Sequence, residues 1–244
     1  MFTRKLTIFV LATVAWLPTG QCLRAETIEG TVVIKRSLTR RRVTAAIPLY
    51  QRGSGVELVA DAPEDPLGFE RERVVIYLDG RQPAPVVVGT LTQEGRRFNA
   101  DTVVIPAGSK VSFPNMDPIF HNVFSLSRAK SFDLGNYSQG ETRVVTFTDP
   151  GVVVVNCHLH PNMAAVIFVT PNRWSAKADR DGHFTLRDVP PGRYTVVAWH
   201  KAAGYFRKEI EVGAGRAANV EFLIPWSEAS SSTGSDALAA QSGK

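Results

Sequence analysis

Apolar, mostly β-branched residues recur along this chain in short runs separated by turn residues. Residues 27–34 read Thr-Ile-Glu-Gly-Thr-Val-Val-Ile, and residues 73–78 read Arg-Val-Val-Ile-Tyr-Leu and end at Asp79-Gly80. Both predict strands, because β-branched side chains pack well on a pleated surface. Residues 86–88 predict a third. A denser series follows at 102–105, 110–113, 121–125, 142–148, 152–156 and 164–170, with Pro106-Ala107-Gly108-Ser109 and Asp149-Pro150-Gly151 as turns. The texture then changes. Asp181-Gly182 predicts a hairpin, and Pro190-Pro191-Gly192 a turn before the alternating strand 194–199, with further strands at 206–212 and 220–224. No run of useful length has the 3.6-residue period of an amphipathic helix. Residues 35–70 read as a long polar connection, 128–140 as a polar loop, and 227–244, mostly Ser, Ala and Gly, as a disordered tail. Strands this short and regularly spaced predict an all-β fold, a sandwich or barrel.

A length of 244 residues allows one large sandwich or two small domains. The start of the chain reads as a targeting segment: Arg4 and Lys5 precede an apolar run over 6–17, followed by Pro18, Thr19 and Gly20. The run is too short to span a bilayer. Cleavage after Ala25 predicts an exported, periplasmic protein with no membrane span. Gln21 before Cys22 argues against a lipoprotein signal, so Cys22 leaves with the segment and Cys157 becomes the lone cysteine of the exported chain. A single thiol in an oxidising compartment cannot form an internal disulfide. It is either a small apolar core residue or a metal-held thiolate. Charge changes the picture little. The formal net charge of +5 falls to +2 once Arg4, Lys5 and Arg24 are removed, so the basic pI does not point to nucleic acid. The local run Lys35, Arg36, Arg40, Arg41 and Arg42 is read as a solvated loop.

The densest chemistry lies in Cys157-His158-Leu159-His160-Pro161-Asn162-Met163, which places a thiolate, an imidazole and a thioether at three-residue intervals. A copper site that only passes electrons wants two imidazoles and a thiolate in a plane with a weak axial thioether. The loop supplies three of these, and His121, on an upstream strand, supplies the fourth. Alternation at the strand end turns His158 away from Cys157, so His158 is read as a surface residue. As a core filler, Met163 is the bland alternative to an axial ligand. Zinc is the chemical rival, but structural zinc sites use four strong thiolate or imidazole ligands and a thioether is a poor fourth. A catalytic Cys–His pair would need an oxyanion hole and an open cleft. The chain is therefore read as an electron carrier and not an enzyme. His183 and His200 read as ordinary strand residues.

Residues from about 95 to 170 resemble the cupredoxins. The likeness rests on Pro106-Ala-Gly-Ser-Lys-Val-Ser-Phe-Pro-Asn115, His121-Asn122-Val123, Val145-Thr-Phe-Thr-Asp-Pro-Gly151 and the Cys157–Met163 loop, whose spacing is of the amicyanin type rather than the longer plastocyanin type. Residues 175–225 look like a carboxypeptidase regulatory-like, or transthyretin-like, β-domain. The whole arrangement is similar to periplasmic plastocyanin-like proteins of the methylamine utilisation type. These resemblances imply a Greek-key sandwich holding one type 1 copper through His121, Cys157, His160 and Met163. Asn122 is implied to tie its strand to the ligand loop by side-chain hydrogen bonds. They also imply redox partner proteins, of the dehydrogenase and c-type cytochrome classes, docking on an apolar rim of Met116, Ile119, Phe120, Pro161 and Ala164.

The expected organisation is a signal peptide at 1–25, N-terminal strands and a long loop at 26–90, the cupredoxin-like unit at 91–170, the second β-unit at 171–226 and the tail at 227–244. The regulatory-like β-domain normally begins with strands ahead of its Asp-Gly hairpin. Here those strands, 27–34 and 73–78, precede the cupredoxin-like unit, so that unit is either inserted into a divided sandwich or follows it in series. Two other functions stay open: a copper chaperone, although such proteins carry Met- or His-rich tracts, and a sandwich that binds a partner or glycan with the copper site as an accessory.

Overall fold

The computed structural model describes residues 25–39, 65–160, 162–213 and 218–224. The targeting segment before Ala25, the basic residues Arg40 to Arg42, Pro161 and the tail at 227–244 lie outside the described residues. The elements run β1 (Glu26–Ile34), α1 (Pro66–Arg71), β2 (Val75–Leu78), β3 (Val88–Thr90), β4 (Gln93–Glu94), β5 (Arg97–Phe98), β6 (Thr102–Pro106), β7 (Ser109–Pro114), β8 (His121–Ser127) and β9 (Lys130–Tyr137). They continue with β10 (Thr142–Phe147), β11 (Gly151–Asn156), β12 (Ala164–Thr170), β13 (Ser175–Lys177), β14 (His183–Val189), β15 (Gly192–His200), β16 (Gly204–Val212) and β17 (Ala218–Ile224).

Four sheets carry the architecture, in the orders β14-β1-β17, β13-β2-β15-β16, β6-β12-β11-β8-β9 and β10-β7-β3, and β4-β5 is a separate two-stranded hairpin. The first two sheets form one sandwich, with Ile28, Val32, Ile76, Leu78, Phe184, Val196 and Phe222 in its core. The next two form a second, with Val111, Phe113, Val123, Phe147, Val153, Val155 and Ile167 in its core. In the first sandwich β1 lies between β14 and β17, and β2 between β13 and β15. Each central strand thus comes from before residue 90 and its neighbours from after residue 170. The second sandwich is built by the chain between them, so it is inserted into the first. Asn172 marks the return point. Its side-chain amide donates to the carbonyls of Leu78 and Gly80, 2.8 and 2.7 Å, and its oxygen accepts from the Trp174 backbone N–H. Departure and return are thereby held side by side, the geometry that makes insertion tolerable.

The two sandwiches pack face to face. Val75 and Tyr77 of β2 and Val197 and Trp199 of β15 meet Val166 and Phe168 of β12 in a core of their own. Phe168 sits between two rings, 5.4 Å from Tyr77 and 4.8 Å from Trp199. Strands β2 and β12 are buried on both faces for nearly all their length. This is why both read as unbroken apolar runs rather than as alternation.

Several expectations need correction. Residues 128–140 are not a loop: β9 occupies 130–137 as an edge strand paired with β8, and its inward side chains Phe132 and Leu134 are only half-buried, so the stretch reads as polar. The connection over 35–70 ends in α1, whose first turn is capped by Asp65 accepting from the Leu67 N–H at 2.9 Å. The third strand spans 88–90 rather than 86–88, and Val86 and Val87 are exposed. Asp181-Gly182 does not close a hairpin, because β13 pairs with β2 while β14 pairs with β1. Gly182 turns the chain from one sheet to the other at φ +92°, where a Cβ would lie 2.3 Å from the Val32 carbonyl oxygen. Only glycine fits there.

Candidate metal centre

The loop of residues 157–163 joins the antiparallel strands β11 and β12, which are in register up to Asn156 opposite Ala164. Its base is closed by the Cys157 N–H donating to the Met163 carbonyl at 3.2 Å, and its far side by the Met163 N–H donating to the His160 carbonyl at 3.0 Å. These bonds turn His160 back over Cys157. His121 opens β8, opposite Tyr137 of β9, and is fully buried. Three predicted ligands therefore converge: the donor atoms of His121, Cys157 and His160 all lie within 4.8 Å of one another. The Cys157 sulfur is 3.9 Å from Nδ1 of His121 and 3.6 Å from Nδ1 of His160, and the two rings are 4.7 Å apart and tilted by 53°.

These separations fit one shared ion. Metal–nitrogen and metal–sulfur bonds of about 2.0 and 2.3 Å hold the donors roughly 3.5 to 3.7 Å apart at angles between tetrahedral and trigonal. The fourth predicted ligand, Met163, is 1% exposed and belongs to the same core cluster as Cys157. Two imidazoles, a thiol and a nearby thioether make a soft donor set, which suits copper better than calcium or magnesium.

One functional residue was missed in the sequence. Asp117 lies four residues before His121, and its Oδ2 stands 2.7 Å from Nε2 of the buried ring. A carboxylate can only accept there, so Nε2 carries the proton and Nδ1 presents its lone pair toward the sulfur. Asp117 also accepts the backbone N–H groups of Gly95 and Arg96 at 2.7 and 2.8 Å. Burial pushes its pKa up, but the hydrogen bonds from Arg96, His121 and Gly95 outweigh this and hold it below the usual carboxylate value. Asn115 braces the turn: its oxygen accepts from the Asp117 N–H, and its amide donates to the carbonyls of Ile119 and Tyr137. No sequence pattern marks Asp117, because its partners Gly95, Arg96 and His121 come together only in the fold.

His160 has its pKa lowered, by burial first and then by the nearby His121 and Arg96. His158 points away from the cluster, as expected, with its side chain 56% exposed, and it stacks on Phe124 at 3.6 Å and 2° from parallel. Asn122 departs from its expected role. Its amide donates to Asp133 of β9 at 2.6 Å rather than to the ligand loop. Asp133 in turn lies 3.7 Å from His158. His200 is no ordinary strand residue either: it is completely buried beside Glu70. His183 is exposed. Of the expected rim, Met116, Phe120 and Ala164 are exposed and Ile119 is half-buried, while Leu159, which was not expected, is 45% exposed.

Residues 172–220 match the family described as polysaccharide lyase family 4, domain II, in the region expected to be carboxypeptidase regulatory-like. No curated protein matches the chain. Among solved structures, the chain is similar to a purple cupredoxin from Nitrosopumilus maritimus, 20% identical over 34% of this chain and 99% of that one, with a TM-score of 0.31. It is also similar to amicyanin from Paracoccus versutus, 21% identical over 39% of this chain and 97% of that one, with a TM-score of 0.33. A copper-containing nitrite reductase from Thermus scotoductus is 25% identical over 45% of this chain and 27% of that one, with a TM-score of 0.33.

Proposed function

We propose that this protein is an exported, periplasmic copper protein that carries single electrons between redox partners. The observation that supports the reading most directly is the convergence of donor atoms of His121, Cys157 and His160 within 4.8 Å of one another. Met163, in the same core, would supply the fourth, thioether donor. Copper held by these four residues supplies a one-electron couple. The sandwich supplies the rest: strands β8, β11 and β12 fix the donors from both sides, so the ligand set changes little between oxidation states. His121, Cys157 and Met163 are 0%, 4% and 1% exposed, which leaves no room for a substrate molecule among the ligands. His160 is half-buried and offers the ring through which electrons reach the surface. Exposed Met116, Phe120 and Leu159 give the loops around the site an apolar character, which suits a transient partner of the dehydrogenase or c-type cytochrome class.

Redox titration of the copper-loaded chain tests this. An electron carrier takes up and releases one electron per chain reversibly and keeps its copper in both states. Release of the metal on reduction would favour copper delivery instead.

A further inference from the structure

The hairpin formed by β4 and β5 carries a backbone feature that the copper ligands alone do not explain. Both central residues of its turn have positive φ, Gly95 at +63° and Arg96 at +57°. Positive φ at both positions marks the tight hairpin turn whose twist matches the strands. Glycine adopts it freely, whereas an arginine does so at a cost, so something must hold Arg96 there. That something is Asp117. The two successive N–H groups of the turn point together at its carboxylate, which accepts them at 2.7 and 2.8 Å. Successive N–H groups converging in this way form an anion-binding concavity. The Met116 N–H bonded to the Gln93 carbonyl at 2.9 Å fastens the same hairpin to the same turn. Asp117 is 7% exposed, and its remaining contact is the ring N–H of His121, 2.7 Å away.

On the copper reading above, we infer that Asp117, seated in the Gly95–Arg96 turn, is a positioning residue that biases the site toward Cu(II). The turn fixes the carboxylate, the carboxylate fixes the tautomer and tilt of His121, and its full negative charge lies one imidazole ring away from the ion. A fixed negative charge at that distance favours the more highly charged oxidation state. An asparagine with its oxygen at the Oδ2 position would still accept from Arg96 and His121 and would lack the charge, losing only the Gly95 N–H bond at the Oδ1 position. Charge is therefore separable from the hydrogen bond that orients the ring.

Voltammetry of the copper-loaded full chain, wild type against Asp117→Asn, separates them. Asparagine keeps the shape and the acceptor facing His121, removes the charge and gives up the bond from the Gly95 N–H. The ratio of Cu(II) to Cu(I) affinity should fall at least tenfold, which raises the midpoint potential by about 59 mV or more. A variant that stays blue at the wild-type potential overturns the inference. A wild-type chain that never turns blue contradicts the copper reading itself. Should the variant fail to fold, the reduced wild-type protein carries the test through the ring N–H of His121 in proton–nitrogen spectra. That proton should be shifted far downfield and protected from exchange. An ordinary shift with rapid exchange would show that no carboxylate holds it, and would overturn the inference.

Discussion

Oε2 of Glu70 stands 3.1 Å from Nε2 of His200, and both residues are sealed from solvent in the divided sandwich, 130 positions apart in the chain. The contact is off the line of a well-formed hydrogen bond. The other carboxylate oxygen accepts the hydroxyl of Ser37 and the backbone N–H groups of Leu38 and Thr39, at 3.0, 3.1 and 2.8 Å. On the far side of the ring, Nδ1 accepts the Ala202 N–H at 3.2 Å, so the proton sits on Nε2, facing the carboxylate. Burial pushes the Glu70 pKa up, but the close approach of the His200 ring N–H and the bonds from Thr39 outweigh it and bring it down to about 2.

A pH dependence follows from that shift. Because the folded pKa is depressed from 4.5, Glu70 contributes stability above pH 4.5 that is lost as pH falls toward 2. Urea unfolding at several pH values should show stability declining between about pH 5 and pH 2. Glu70→Gln should unfold more easily at pH 7 and should flatten that decline. An unchanged decline in the variant would assign it to other carboxylates.

The contact between the sandwiches predicts coupled unfolding. Phe168 is 2% exposed and lodged between Tyr77 and Trp199, so Phe168→Ala should cost about 3 to 5 kcal/mol. In the wild type, tryptophan fluorescence and the copper absorption should report one transition. In the variant they should separate, since Trp174 and Trp199 lie in one sandwich and the metal ligands in the other. Coincident transitions in the variant would show that coupling does not run through this contact.

Strand order predicts what a fragment can do. Residues 171–226 alone lack β1 and β2, the strands that lie between β14 and β17 and between β13 and β15. Two sheets would each lose their middle, leaving unpaired edges and half a core. Calorimetry of this fragment should show no cooperative transition. A sharp one would mean that the C-terminal strands find a different pairing.

What could be read from the sequence was what is local. The ligands on the 157–163 loop were visible because three donor types fall within seven residues. His121 was visible because its strand stood out by alternation. The strands at both ends of the inserted unit were visible because they are β-branched. Asp117 was not, since its partners Gly95, Arg96 and His121 meet it only once the hairpin folds over the turn. Glu70 and His200 were not, since no local pattern marks a pair so far apart. β9 was missed because its outward face is polar and its inward Phe132 and Leu134 are only half-buried. The apolar runs in β2 and β12 did carry a signal of burial on both faces, and it is the contact between the sandwiches that gives the signal its meaning.

At the axial place a smaller effect is expected. Met163→Leu keeps the buried volume and removes only the thioether. The site should stay coloured with a higher potential, because the axial bond is weak. Voltammetry and copper quantification check this together. Loss of all copper on this change would count against an axial role.

On the proposed function, Cys157 would hold copper as a thiolate between His121 and His160. Adding one equivalent of Cu(II) to the purified exported chain and recording its visible absorption tests this most directly. An intense blue thiolate-to-copper band should appear at one copper per chain and be absent from Cys157→Ser, which should also lose most of its copper affinity. A colourless wild-type complex, or a Cys157→Ser variant that is as blue as the wild type, would contradict it.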